Sequence, residues 1–285
     1  MLIKETQTTK INIAVLDLNN GVPNQGLRCI LNILQQYQNE HELPFDITVF
    51  DVRQKDEVPD SSFDIYISSG GPGSPFDEEG WEWENKYFDL INQLYYYNTQ
   101  ATEDQKKHVF FICHSFQLAC RFFKIGKVCQ RKSTSFGVFP VHKIWGGLHE
   151  PIFEQLPEPF YAVDSRDYQV IQPDFDQLNG IGATVLALEK ERPHVPLERA
   201  IMAVRFSAEM IGTQFHPEAD AISMRDHLLK DINKARVIAE HGEAKYWDML
   251  DKLDDPDKIL LTQKVILPAF LDKALEKKLV ATSLA

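Results

Sequence analysis

The sequence predicts a three-layer α/β fold: a mostly parallel central sheet with helices on both faces, followed by a helical C-terminal extension. Two observations carry this expectation. Up to residue 113, β-branched and aliphatic runs alternate with segments of helical apolar spacing, a βαβ rhythm. Beyond residue 219 the strand signal fades into Leu-, Lys-, Asp- and Glu-rich sequence.

The elements follow in order. INIAVLDL (11–18) is the first strand and NNGVPNQG (19–26) is turn chemistry. LRCILNILQQY (27–37) places Leu27, Ile30, Leu31 and Leu34 on one helical face. FDITVFDV (45–52), FDIYIS (63–68) and HVFFIC (108–113) continue the strands, with YFDLINQLYYY (87–97) as a helix between the last two. Between about 127 and 215, short strand-like pieces (FGVFPVHKI, FYAVD, ATVLALE, AIMAVRF, EMIGTQF) are separated by Pro-, Gly- and Asp-rich turns, so mixed or antiparallel strands are expected to extend the sheet. The tail reads as three helices, broken near Gly242 and Pro256. The expected division is an α/β domain over 1–219 and a helical extension over 220–285, packed on it or at an oligomer interface.

Composition narrows the function. With 44% hydrophobic and 25% charged residues and no biased tract, the chain is of globular type. A formal charge of −12 disfavours nucleic acid and anionic membrane as partners, since both attract positive patches. No apolar run is long enough to span a bilayer, and MLIKETQTTK, read as a frayed lead-in, lacks the apolar core of a secretory signal. Cys29, Cys113, Cys120 and Cys129 form no CxxC pair, which suggests free thiols in a reducing cytoplasm. His142, His149 and His194 have no Cys or His partner at metal-ligand spacing, so no metal site is expected.

Three separated stretches carry candidate chemistry. SGGPGSP (69–75) follows a strand; its glycines allow close backbone approach and leave N–H groups to face an anion. An ordinary tight turn or a phosphate loop would use the same residues, although the Lys-Ser/Thr of a Walker loop is absent. FICHSFQLAC (111–120) runs a strand straight into a helix, which is where a nucleophile elbow sets its reactive side chain and where a helix N-terminus favours thiolate. Cys113 is then either that nucleophile or one more small buried hydrophobe. GTQFHPEAD (212–220) places His216 before a proline, biased to extended backbone, so that His216 and Glu218 point the same way as a base and its orienter. A solvated turn is the plain alternative. Parallel strands would bring the three stretches to one sheet edge.

Together these stretches resemble the class I glutamine amidotransferase family, in its stand-alone GMP-synthase-like form. That family shares an SGGPGSP-like loop, a cysteine elbow G-x-C-x-G-H/x-Q and a Q-F-H-P-E segment. Here they read SGGPGSP at 69–75, C-H-S-F-Q at 113–117 and QFHPE at 214–218, in the family's order, over about residues 11–219. The resemblance implies a flavodoxin-like fold and no cofactor. It implies Cys113 as nucleophile, His216 as general base and acid, and Glu218 as its orienter. It also implies an oxyanion hole from the amides of Gly71 and His114, and Gln117 as a substrate contact. The reaction implied is release of ammonia from L-glutamine through a γ-glutamyl thioester.

The sequence departs from the family at two places. Phe111 and Ser115 stand where the elbow carries glycines, and DSRDYQV (164–170) replaces a Ser-His-Gly-Asp-like segment, with Arg166 in place of histidine. Ser165 and Tyr168 remain candidate substrate contacts; Arg166 could bind another carboxylate or sit in solvent. No synthetase domain follows, so a separate subunit accepts the ammonia in trans or the protein works alone on glutamine or a related γ-glutamyl amide. Two alternatives stand beside this reading: a cysteine-triad hydrolase or acyltransferase such as the homoserine acyltransferases, which lack the SGGPGSP loop, and a catalytically silent binding module of the same fold.

Overall fold

The computed structural model describes residues 10–23, 25–193 and 195–284; the N-terminal lead-in and His194 lie outside the described residues. The first half alternates as expected: β1 (Ile11–Asp17), α1 (Gln25–His41), β2 (Phe45–Asp51), a turn of helix α2 (Val52–Lys55), β3 (Ile65–Ser68), α3 (Glu82–Gln100), β4 (His108–Ile112) and α4 (His114–Phe122). Then come β5 (Lys127–Lys143), α5 (Trp145–Leu148), β6 (Phe160–Ile171), α6 (Phe175–Ile181), β7 (Thr184–Glu189), β8 (Ile201–Arg205) and β9 (Met210–Thr213). The nine strands form one sheet in the order β2-β1-β3-β4-β9-β8-β7-β5-β6. From β2 to β9 neighbours run parallel, and from β9 to β6 they run antiparallel.

Strand alternation sorts the core into two layers. On one face Ile11, Ile13 and Val15 of β1 pack with Ile30, Ile33 and Leu34 of α1. On the other, Ala14 and Leu16 meet Trp83, Tyr87, Leu90 and Ile91 of α3 and Phe116 and Ala119 of α4. A parallel strand covered on both faces must be apolar on both, hence the unbroken run of β1.

Two boundaries differ from the expectation. FGVFPVHKI and FYAVD are the inner parts of longer strands, β5 and β6; the outer half of β5 is mostly exposed and polar, so it carries no apolar alternation. The tail holds four α-helices: α7 (Ala221–Leu229), α8 (Asp231–His241), α9 (Glu243–Asp254) and α10 (Leu261–Leu284), with a π turn over Pro256–Leu260. Breaks fall at Gly242 and Pro256 as read, and a third falls at Lys230, whose extended backbone (φ −66°, ψ 128°) ends α7 without glycine or proline to announce it. Val265, Ile266, Phe270 and Leu271 of α10 enter the same apolar layer as α1, and the Tyr37 hydroxyl donates to Asp272 at 2.7 Å. Tyr246, Met249, Leu250 and Leu253 of α9 cover Val138 and Val163 on β5 and β6. Among the described residues, no helix is long and apolar enough to cross a membrane.

Candidate active site

β3, β4 and β9 are adjacent and parallel, so their C-terminal ends, Ser68, Ile112 and Thr213, lie side by side. The three stretches singled out in the sequence leave from these ends. A cleft of about 340 Å³ opens between them and the edge of β6, and Gly71, Cys113, His114, Gln117, Ser165, Tyr168 and His216 all line it.

Cys113 joins β4 to α4 with φ 51° and ψ −98°, a positive φ outside the regions an L-residue adopts readily. Such strain persists only where surrounding bonds over-determine it. Here the Cys113 amide donates to Thr213 O at 2.8 Å and its carbonyl accepts from Gln117 N at 3.0 Å. Ser115 Oγ accepts from Ile112 N at 2.7 Å and donates to Ser68 O at 2.8 Å. Ser115 thus braces the turn where a smaller residue was expected. The sulfur, on a residue only 5% exposed, lies 3.7 Å from Ser165 O and accepts from Gln214 Nε2 at 3.7 Å.

Phe111 is also accommodated, by its neighbour. It pairs with Gly212 on β9, where an added Cβ would sit 2.9 Å from Phe116 and 3.0 Å from Phe111 Cβ. The clearance between strand and helix is therefore provided one strand over, and the Phe111 ring is buried edge-on against Phe206.

His216 itself bridges Val163 in antiparallel fashion, but the extended chain does not continue to Glu218 as expected. The His216 amide donates to Val163 O at 2.8 Å, and the chain then turns at Pro217, with Ala219 N reaching back to His216 O at 3.4 Å. The turn brings Glu218 Oε1 to 2.8 Å from His216 Nδ1, leaving Nε2 as the ring nitrogen for the Cys113 sulfur. Burial by itself would lower the His216 pKa, but the Glu218 carboxylate and the Cys113 sulfur together hold it well above the ordinary value. Glu218 is buried, its Oε2 has no hydrogen-bond partner among the described residues, and its carbonyl accepts from Gln263 Nε2 of α10 at 3.3 Å.

The remaining candidates fall around the sulfur. A Cβ on Gly71 would lie 2.3 Å from Leu18 O, so only glycine fits, and neither the Gly71 nor the His114 amide has an acceptor among the described residues. Burial, with Arg53 and Arg121 nearby, pushes the His114 imidazole down to about 3, so that side chain is neutral near pH 7. Gln117 Nε2 donates to Gln214 Oε1 at 3.0 Å and to Tyr168 O at 3.3 Å.

Arg166 follows neither course the sequence suggested. It is buried in an internal ion network, Nε donating to both Asp164 oxygens at 2.9 and 3.0 Å and Nη2 to Glu189 at 3.2 Å. Burial would raise the Glu189 pKa, but Arg166 and Arg131 hold it below the usual carboxylate range. Asp164 is two residues back on the same strand, but Glu189 stands on β7, so that half of the pairing has no local pattern around DSRDYQV.

Three residues at the site were not singled out. Gln214, the first residue of QFHPE, touches both the sulfur and Gln117. Gly70 makes room for the His216 ring: its Cβ would lie 2.9 Å from His216 Cε1. Gly212 clears α4. All three lie inside the stretches quoted from the sequence, and that place in a motif is the signal each carried. Cys120, by contrast, is fully buried and its thiol is pushed far up by burial, the behaviour of a core residue.

Among solved structures, the chain is similar to a glutamine amidotransferase of Thermotoga maritima (TM-score 0.65, 15% identity, covering 93% of this chain and 98% of that one). It is similar also to a glutamine amidotransferase of Methylobacillus flagellatus (TM-score 0.59, 14% identity, 95% and 94% covered). A third is the glutaminase domain of Trypanosoma brucei CTPS with bound acivicin (TM-score 0.57, 13% identity, 93% and 94% covered). These likenesses show the fold. Comparison with curated proteins gives no match. The family model "Glutamine amidotransferase class-I" matches residues 29–235, from α1 through the strands to α8 and including Cys113, His216 and Glu218. The chain belongs to the class-I glutamine amidotransferase family.

Proposed function

We propose that this protein releases ammonia from L-glutamine with a Cys113-His216-Glu218 triad. One observation carries the reading: a cysteine with positive φ at the head of α4 faces an imidazole whose far nitrogen is held by a buried carboxylate at 2.8 Å. In this mechanism His216 takes the Cys113 proton, and the Glu218 carboxylate favours the protonated ring that results. The thiolate attacks the γ-amide carbon, and the oxyanion that forms accepts from the amides of Gly71 and His114. One such preorganised donor is worth about 3–4 kcal/mol in comparable sites. His216 protonates the departing nitrogen, ammonia leaves, and the neutral ring then takes a proton from water as it attacks the γ-glutamyl thioester. Glutamate departs and the pair is restored. Gln117, Ser165 and Tyr168 contact the substrate, and the ammonia passes to a synthetase subunit in trans.

The test is ammonia release from L-glutamine by the purified protein, with and without cell extract to supply a partner, using Cys113→Ala as blank. Activity confined to the chain carrying Cys113, with glutamate formed in equal amount, supports the proposal. Absence of ammonia in both conditions rejects glutamine as the substrate. Alkylation of Cys113 no faster than of Cys29 or Cys129 rejects the nucleophile.

A further inference from the structure

β6 stands last in the strand order, so one of its edges has no strand to pair with. Successive carbonyls of a strand point to opposite sides, which puts those of Tyr161, Val163 and Ser165 on one edge. It is the edge away from β5, because Tyr161 faces Pro140, which has no N–H to give. Three separate parts of the chain meet these carbonyls. The Thr262 hydroxyl of α10 donates to Tyr161 O at 2.5 Å, the His216 amide donates to Val163 O at 2.8 Å, and the Cys113 sulfur lies 3.7 Å from Ser165 O. α10, His216 and Cys113 are thus registered on a single strand edge.

Glu218 is off that edge and weakly held. Its carboxylate has one partner, His216 Nδ1 at 2.8 Å, and its other oxygen is buried without one among the described residues. Asp220, two residues on, caps α7 and pairs with Arg28, so the segment is pinned beyond Glu218 and at His216, before it. At Glu218 itself the main chain makes one hydrogen bond among the described residues, its carbonyl accepting from Gln263 Nε2 at 3.3 Å. Gln263 is the residue next to Thr262. Its helix is fixed by the buried Thr262 and by Val265 and Ile266 in the core. Neighbouring residues of α10 therefore reach both the strand that holds His216 and the turn that carries Glu218.

Resting on the reading of Cys113, His216 and Glu218 as a triad, we infer that Gln263 is a positioning residue. Through it the C-terminal extension, whose α10 lies beyond the family span 29–235, sets the Glu218 carboxylate on His216. The extension is then part of the active site and not only a cover packed on it. Gln263 is absent from the lining of the cleft, so its influence falls on kcat and leaves KM alone. The charged groups acting on His216 are Glu218 and Cys113; Asp164 and Arg166 of β6 are engaged with one another and with Glu189, and Lys264 of α10 is exposed.

The test uses Gln263→Met in the full chain. Methionine keeps the side-chain length and the helix propensity and changes no charge, so movement of the His216 titration reports the placement of Glu218. Tyr37→Phe is the control, since it removes a hydrogen bond between α1 and Asp272 of α10 away from the triad. His216 is titrated by NMR in histidine-labelled protein, its signal assigned by loss in His216→Gln. In Gln263→Met the midpoint is expected several tenths of a pH unit lower, because the Glu218 carboxylate raises it. For ammonia release from L-glutamine, kcat is expected to fall about fivefold, the worth of one neutral hydrogen bond, with KM unchanged. Tyr37→Phe is expected to lower Tm and leave midpoint and kcat in place. An unmoved midpoint in Gln263→Met, an equal shift in Tyr37→Phe, or a loss carried by KM overturns the inference. The titration needs no turnover. If the native protein releases no ammonia from glutamine while the midpoint moves as expected, the failure falls on the hydrolysis reading and the positioning role is supported.

Discussion

Replacing Gly70 with alanine tests the placement of the base against the nucleophile. A Cβ there would lie 2.9 Å from His216 Cε1 and 3.5 Å from Cys113 Cβ. The backbone of Gly70 is outside the left-handed region, so alanine meets no conformational penalty and the effect is steric alone. The contact with Cys113 is ordinary; the one with the ring is not, and the ring must retreat about 0.5–1 Å to reach a normal carbon–carbon separation. It is held at Nδ1 by Glu218 and at its backbone by Val163, so the displacement falls on the Nε2 end that serves the sulfur. A misplacement of that size costs up to about 100-fold in rate, so Gly70→Ala is expected to lose about 10- to 100-fold in kcat/KM. The assay is steady-state ammonia release, paired with thermal melting. Gly180→Ala serves as a control: it lies in α6 with nothing within 4 Å of the new Cβ, and is expected to keep full activity while gaining up to about 1 kcal/mol of stability. Native turnover in Gly70→Ala refutes the proposed Cys113–His216 arrangement. A loss matched by a large fall in Tm makes Gly70 a folding position instead, and refutes the steric reading.

Other outcomes follow from the same geometry. The negative charge of Glu218 favours the protonated ring, so Glu218→Gln lowers the His216 pKa and moves the alkaline limb of the kcat/KM–pH profile to lower pH; an unmoved limb refutes the pairing. Arg166→Met leaves the buried Asp164 without its cation, while Glu189 keeps Arg131 and Arg192, at about 3–5 kcal/mol of stability in urea unfolding, whereas an exposed arginine would lose almost nothing. Phe111→Ala empties a buried ring position, costing about 3–5 kcal/mol, but leaves the alkylation rate of folded Cys113 unchanged because Gly212 supplies the clearance; a changed rate would show that Phe111 shapes the nucleophile.

What the sequence made legible was what depends on neighbours in the chain. The buried runs of β1, β3 and β4 announce parallel strands, and parallel strands alone bring residues 69–75, 113–117 and 214–218 to one edge. His216 and Glu218 were paired correctly though by a turn at Pro217, since two residues can meet across a bend as well as along an extended chain. Distant partners were not legible. The second carboxylate on Arg166 comes from Glu189, the tolerance of Phe111 from Gly212, and the space for His216 from Gly70, each brought near by the fold. The break at Lys230 and the outer half of β5 were missed because neither carries a glycine, a proline or an apolar alternation at the point that matters.

The change of strand direction at β9 divides the labour of the cleft. β9 is parallel to β4 and antiparallel to β8, so the sulfur and the imidazole hang from the parallel half, while the wall of Thr134, Ser165, Asp167 and Tyr168 hangs from the β5–β6 hairpin at the sheet's outer rim. Under the proposed function, bond-breaking is thereby tied to strands wrapped in core on both sides, where few substitutions are tolerated. Choice of substrate is tied to an edge with a register shift already in it. Under that proposal, which amide is accepted can change while the cleaving machinery stays fixed, and this chain's departure at Arg166 falls on the side free to change.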